Sequence, residues 1–168
     1  MILTLLLLLS CSSVLAGDVT VWQAKLSQNT TTFALHGPAD AGFQLFTPTG
    51  EKAWAGEAWD PRRVDGATAP DNEGMVFHNG VSQPLWIVSR YAPAERVVEY
   101  VIVTDSVLTR LHCGVVAVAP QESKATVTYT WTALSPSGNE YVEKHAAHFD
   151  AIVADWEKSM NRVLAGSK

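Results

Sequence analysis

Between Lys124 and Leu134 the chain alternates without interruption: Val127, Tyr129, Trp131 and Ala133 fall on one side, Thr126, Thr128, Thr130 and Thr132 on the other. A period of two lays the aromatic and aliphatic set on one face of a β-strand and a threonine ladder on the other, which suits water. After Ser137 the period lengthens. Val142, His145, Ala146, Phe149, Ile152, Val153, Trp156, Met160, Val163 and Leu164 return at helical spacing, with Glu143, Lys144, Asp150, Glu157 and Lys158 on the opposite side. Ser137 and Glu140 have the spacing of a capping box, and Gly166 is a stop signal, so the pattern predicts an amphipathic helix over Glu140 to Ala165.

The residues ahead of these elements read as strands and short helical turns. Val19 to His36 alternates in stretches and predicts one or two strands, with a turn at Ser27-Gln28-Asn29. Pro38 opens a short helix with Phe43 and Phe46 on one side; Pro48-Thr49-Gly50 interrupts it, and Glu51 to Ala55 forms a second helical turn. Trp59 to Gly74 is rich in Pro, Asp and Gly and reads as a long loop. Short strands follow at Met75 to His78, Leu85 to Tyr91, Arg96 to Thr104 and Val107 to Ala119, the last long enough to need a bend, for which Gly114 is the natural point. Consecutive strands on short connections imply an antiparallel meander. The closing helix is the one element long enough to cover such a sheet, so the pattern gives an α+β fold in which a curved antiparallel sheet grips a long C-terminal helix.

Composition changes this picture little. The 168 residues, 47% hydrophobic and 17% charged, suit one domain with a substantial core. The net charge of −5 and the absence of a Lys or Arg run exclude a nucleic-acid footprint. The first residues add more. Ile2 to Leu9 is almost wholly aliphatic, too short for the roughly 20 residues of a bilayer span, and small residues precede Gly17. This predicts a secretory signal over residues 1–16, cleaved after Ala16, and a single mature domain over 17–168 that is periplasmic or secreted. An alternative reading of Leu8-Leu9-Ser10-Cys11 is a lipobox with acylation at Cys11, which would anchor the protein to the envelope membrane, its one expected membrane association. With Cys11 removed, Cys113 has no disulfide partner and reads as a packed thiol among apolar neighbours.

No nucleophile elbow, phosphate loop, zinc-protease helix or Cys-x-x-Cys pair is present, so no catalytic motif, cofactor or metal is expected. His145 and His148 stand one helical turn apart, but two nitrogens are not a metal site; His145 falls on the sheet-facing side, as a polar group of a pocket. Arg110 and His112 share the outer face of their strand unless a bulge reverses the phase. Glu51, between a Gly turn and Trp54, reads as a general acid/base or ligand anchor, or else as a carboxylate capping its own turn. Trp54, Trp86, Tyr100, Tyr129, Trp131, Phe149 and Trp156 lie on elements that should enclose the space between sheet and helix. Flat apolar rings with polar tips suit an amphipathic organic ligand, as well as plain core packing.

Several stretches carry a resemblance. These are Leu45-Phe46-Thr47-Pro48-Thr49-Gly50-Glu51 with Trp54, Trp59-Asp60-Pro61, Gly74-Met75-Val76-Phe77, Trp86-Ile87-Val88, Glu99-Tyr100-Val101, Val127-Thr128-Tyr129-Thr130, Ala133-Leu134-Ser135 and Gly138-Asn139. Together with the element order they resemble the START-like, or SRPBCC, superfamily with its helix-grip fold, in particular an uncharacterised bacterial subgroup. The likeness spans roughly Thr32 to the C-terminus. It implies a cavity between sheet and helix for a small hydrophobic molecule, in a carrier expected to be a monomer. Alternatives are a cyclase or dehydratase acting on an aromatic or polyketide-like substrate, and an envelope protein with a filled cavity and a partner-binding surface.

Overall fold

The computed structural model describes residues 22–80 and 84–166. The segment expected to be a signal sequence, with Cys11 and the expected cleavage point after Ala16, lies outside the described residues. The strands are β1 (Leu26–Leu35), β2 (Pro61–Arg63), β3 (Val76–Asn79), β4 (Leu85–Ala92), β5 (Val97–Val103), β6 (Val107–Ala119) and β7 (Glu122–Ala133); the helices are α1 (Ala39–Gln44) and α2 (Pro136–Gly166), with a 3-10 turn at Gly50–Ala53. The strands form one antiparallel sheet in the order β1-β7-β6-β5-β4-β3-β2. This is the curved sheet gripping a C-terminal helix that the pattern predicts: α2 packs along β1, β7 and β6, and α1 packs against β6 and β7.

Alternation decides what faces the helix. Along β7, Ala125, Val127, Trp131 and Ala133 are buried, and along β6 so are Val107, Leu111, Cys113 and Val115. From α2, Val142, Phe149, Val153, Met160 and Leu164 complete one hydrophobic core. Burial raises the Cys113 thiol well above its ordinary pKa, so it stays protonated and inert, as a packed thiol should.

Four local expectations are corrected. Ser27, Gln28 and Asn29 do not turn; they pair with Trp131, Thr130 and Tyr129, because the ladder to β7 is unbroken along β1. The loop after Trp59 contains β2, whose Pro61 lies on the outermost strand, where a missing N–H costs no ladder bond. Gly114 is not a bulge: it pairs regularly with Val97 and Thr126. The irregularity falls between Ala117 and Ala119, beyond the end of the β5 pairing, where β6 is held from one side alone. Finally, α2 begins earlier than its capping-box spacing implies. Ser135 Oγ accepts the Gly138 N–H at 3.2 Å, and Pro136 occupies the first helical position, where its ring is preorganised. Gly138 is required at this start, since a Cβ there would stand 2.0 Å from the Ser106 carbonyl oxygen.

Two asparagines of α2 fasten it to the outer strand β1 and its flanking residues. Asn139 accepts the Lys25 N–H at 2.7 Å and donates to the Gln23 carbonyl at 2.9 Å. Asn161 accepts the His36 N–H at 2.7 Å and donates to the Ala34 carbonyl at 2.9 Å. Each amide thus satisfies one backbone donor and one backbone acceptor, as a neighbouring strand would. A Lys25–Glu143 ion pair lies beside the first of them.

Candidate functional site

The segment from α1 through the 3-10 turn is held by aromatic side chains that donate to its backbone. Tyr100 Oη donates to the Phe46 carbonyl at 2.6 Å, Trp54 Nε1 to the Leu45 carbonyl at 2.6 Å, and Trp59 Nε1 to the Pro48 carbonyl at 2.8 Å. Burial pushes the Tyr100 hydroxyl well above its ordinary pKa, so it remains a donor. Replacing Tyr100 by Phe should leave the buried Phe46 carbonyl without this donor and destabilise the protein by about 1–3 kcal/mol, read as a lowered urea midpoint at unchanged slope.

The turn that carries Glu51 is capped by other residues. Thr47 Oγ1 accepts the Gly50 N–H at 3.1 Å, and Asp71 Oδ2 accepts from the Thr49 N–H at 3.0 Å and from its hydroxyl at 2.5 Å. Glu51 is therefore not needed as the cap. Its side chain is 7% exposed and makes no hydrogen bond among the described residues. Desolvation, reinforced by the negative charge of Asp71, raises its pKa well above the usual carboxylate range. What it faces is a chamber of about 310 Å³ between the sheet and α2, open to solvent beside the exposed Ala55 and Asp155.

The chamber walls come from elements distant in sequence: Trp54 beside the 3-10 turn, Trp59 from the loop before β2, Trp86 from β4, Tyr129 from β7, and Asp155, Trp156 and Ser159 from α2. Trp54 and Trp156 meet with ring centroids 5.3 Å apart, Trp59 and Trp86 edge-on at 5.2 Å, and Tyr129 and Trp156 at 6.0 Å. Trp54, Trp86, Tyr129 and Trp156 are only half-buried by area although they lie within the fold, because part of each ring fronts the chamber. A second, smaller chamber of about 170 Å³ lies on the other side of Trp86 and Tyr129, lined among others by Thr109, Trp131, His145 and Phe149.

The residues singled out from sequence thus divide. Glu51, Trp54, Trp86, Tyr129 and Trp156 converge on the larger chamber; Trp131, His145 and Phe149 line the smaller one with Trp86 and Tyr129. Tyr100 lines neither, since its hydroxyl is engaged by Phe46 and its ring is packed edge-on against Phe77 and Trp86. His145 Nδ1 lies 2.9 Å from the Tyr141 carbonyl and its ring stacks on Tyr141; His148 Nδ1 lies 2.7 Å from the Lys144 carbonyl. Both imidazoles fold back on their own helix, and no group of three potential ligands is placed to hold a metal among the described residues. Arg110 and His112 lie on the outer face with Glu99, which already pairs with Arg90 and His112. The groove there is larger, about 440 Å³, and lies on the face of the sheet away from α2.

Sequence reasoning missed Trp59 and Asp155. Trp59 was one more residue of a Pro- and Gly-rich loop; a large aromatic in so polar a stretch was the available signal. Asp155, one acidic residue of a long helix, carried no signal.

A strongly curved antiparallel sheet closed over a C-terminal helix, with a chamber between them, is a START-like helix-grip fold, and comparison with solved structures bears this out. A norcoclaurine synthase point mutant from Thalictrum flavum, in complex with a transition state analogue, superposes with a TM-score of 0.61 at 11% identity, covering 88% of this chain and 100% of that one. A START superfamily protein from Mycobacterium smegmatis gives 0.57 at 12% identity, over 84% of this chain and 99% of the other. The Zhui aromatase/cyclase from Streptomyces sp. R1128 gives 0.54 at 15% identity, over 84% and 93%. No protein-family model and no curated protein sequence matches the chain.

Proposed function

We propose that the protein is an exported, monomeric carrier that holds a small hydrophobic or amphipathic molecule in the larger chamber. The observation that carries this reading is the chamber itself: about 310 Å³ of space walled by Trp54, Trp59, Trp86, Trp156 and Tyr129 where a plain core would be filled. That volume is at the low end of small-molecule sites, which run from about 300 to 1,000 Å³. It favours a ligand of one or two rings over a sterol or a long acyl chain. Export rests on the aliphatic run and small residues ahead of Gly17; fatty-acid labelling distinguishes acylation at Cys11 from cleavage after Ala16.

Four of the six tryptophans line this chamber. Occupancy by an aromatic ligand should therefore change intrinsic tryptophan fluorescence saturably, and Trp156→Ala should reduce the response. Native mass spectrometry of the purified protein provides the second readout, a retained small molecule. Absence of both across a panel of aromatic and aliphatic compounds would sink the carrier reading and return the partner-binding one.

A second reading, an enzyme of the cyclase or dehydratase type, is favoured by Glu51, a carboxyl whose pKa burial raises well above the ordinary range, placed beside a chamber and without a hydrogen-bond partner among the described residues. Such a group has the form of a general acid. Norcoclaurine synthase and Zhui aromatase/cyclase show that the fold accommodates catalysis, and turnover falling by about 10²–10⁴ in Glu51→Gln with binding nearly retained would identify it here.

A further inference from the structure

The lining of the larger chamber has one sign. Its ionisable residues are Glu51, Asp155 and Tyr129; it contains no Lys, Arg or His. Four indole rings and a phenol supply the walls, and aromatic faces carry negative quadrupole potential. Lys52, the cation next in sequence to Glu51, is exposed and directed to Asp60 at 4.0 Å, and Lys158 pairs with Asp155 at 3.4 Å from the exposed side of α2. The groups near Glu51 on the other packed elements are Tyr100 from β5, Cys113 from β6 and Tyr129 from β7, with Asp71 from the loop before β3. Each is neutral when protonated or negative when not. No residue lining the chamber carries a positive charge, the nearest cations being turned to Asp60 and Asp155, and a carboxyl more than nine-tenths buried stands in it without a hydrogen-bond partner among the described residues.

We infer that the larger chamber takes an organic cation, an ammonium group on a small apolar body, with the aromatic walls around the cation and Glu51 as its counter-ion. This rests on the carrier reading and names its ligand class. Ring faces attract an ammonium group, and a buried carboxyl provides the one full charge such a site needs. The protonation balance follows. In the empty chamber burial keeps the Glu51 O–H bond intact; when a cation enters, that bond breaks and the proton leaves to solvent, so the complex holds one proton fewer than its parts. Cation affinity therefore rises with pH while empty-state Glu51 remains protonated, by up to about tenfold per pH unit. Tyr129 and Cys113, both pushed up by burial, stay protonated meanwhile and contribute no slope.

The test uses two probes of equal shape, phenyltrimethylammonium and the uncharged tert-butylbenzene, titrated against the whole protein between pH 5 and 8 with tryptophan fluorescence and calorimetry. The quaternary cation has no proton of its own, so any proton released comes from the protein. The expected result is saturable cation binding that tightens with pH and releases protons, beside pH-independent binding of the neutral probe. Glu51→Gln should weaken the cation about tenfold or more and flatten its pH profile while leaving the neutral probe unchanged. Asp155→Asn, on the exposed surface of α2, should weaken the cation a few-fold without touching the fold. Neutral binding without cation binding overturns the inference and leaves the carrier reading standing, as does cation binding indifferent to pH or to Glu51→Gln. Failure of both probes overturns the two together.

Discussion

Glu51→Gln should make the protein more stable at neutral pH, with a gain that grows as the pH rises. Glu51 is protonated in the fold at pH values where it would ionise in the unfolded chain, because burial beside Asp71 raises its pKa well above the ordinary value. Between those two pKa values the folded state binds more protons than the unfolded one, so stability falls with rising pH. The contribution is intact below the unfolded pKa of about 4.3, is lost progressively above it, and levels off once Glu51 ionises in the fold too. The slope is at most about 1.4 kcal/mol per pH unit. Gln fills nearly the same volume without an ionisable proton, so urea titrations across pH should show the variant and the wild type converging near pH 4 and separating above it. Parallel profiles would mean that the carboxyl is not desolvated as described. A residue whose removal stabilises the fold is one retained for something other than folding, which is why this experiment bears on the chamber as well as on the core.

Phe149→Ala should be the most damaging single truncation in α2, at about 3–5 kcal/mol. Phe149 is 2% exposed and sits between two rings of β7, with centroids 6.0 Å from both Tyr129 and Trp131. Two edge-on aromatic contacts are lost together with the buried area. Because Tyr129 and Trp131 are stacked on each other at 5.0 Å, neither is free to swing into the gap. The cavity so created would join the smaller chamber. Chemical denaturation should show a lowered midpoint with unchanged slope, and an exposed control on the opposite side, Ala147→Ser, should lie within about 0.5 kcal/mol of wild type.

These two positions differ in how readable they were. Phe149 follows from spacing alone: it recurs with Val142, Val153 and Met160 on one face, and a helix long enough to span a sheet buries that face. The strand pattern was equally plain in β7, where tertiary packing and local alternation agree. Local irregularity was less legible. Ser27-Gln28-Asn29 has turn composition, yet it forms strand because β7 supplies a partner for every residue, a fact carried by sequence a hundred positions away. Ser137 and Glu140 have capping-box spacing, but Pro136 favours the first helical position and makes Ser135 the cap. For the chamber, the aromatic residues announced themselves by type. Their division into two spaces, with Trp86 and Tyr129 shared between them, is decided by three-dimensional proximity. Glu51 was visible as a candidate, but its burial arises because Thr47 and Asp71 already cap the turn, which no local pattern specifies.

The asparagines that fasten α2 to the region of β1 have a consequence for the protein outside its own fold. β1 ends the sheet, and a terminal strand with unpaired backbone groups is a template on which another polypeptide can add itself. Asn139 and Asn161 occupy backbone groups near the two ends of that strand, and Asn29 ties its middle to the Ala146 carbonyl at 3.5 Å. The long helix therefore does more than roof the chamber: it occupies backbone groups at both ends of this margin of the sheet. The outer border of the sheet is thus guarded by side chains that imitate the partner strand it lacks.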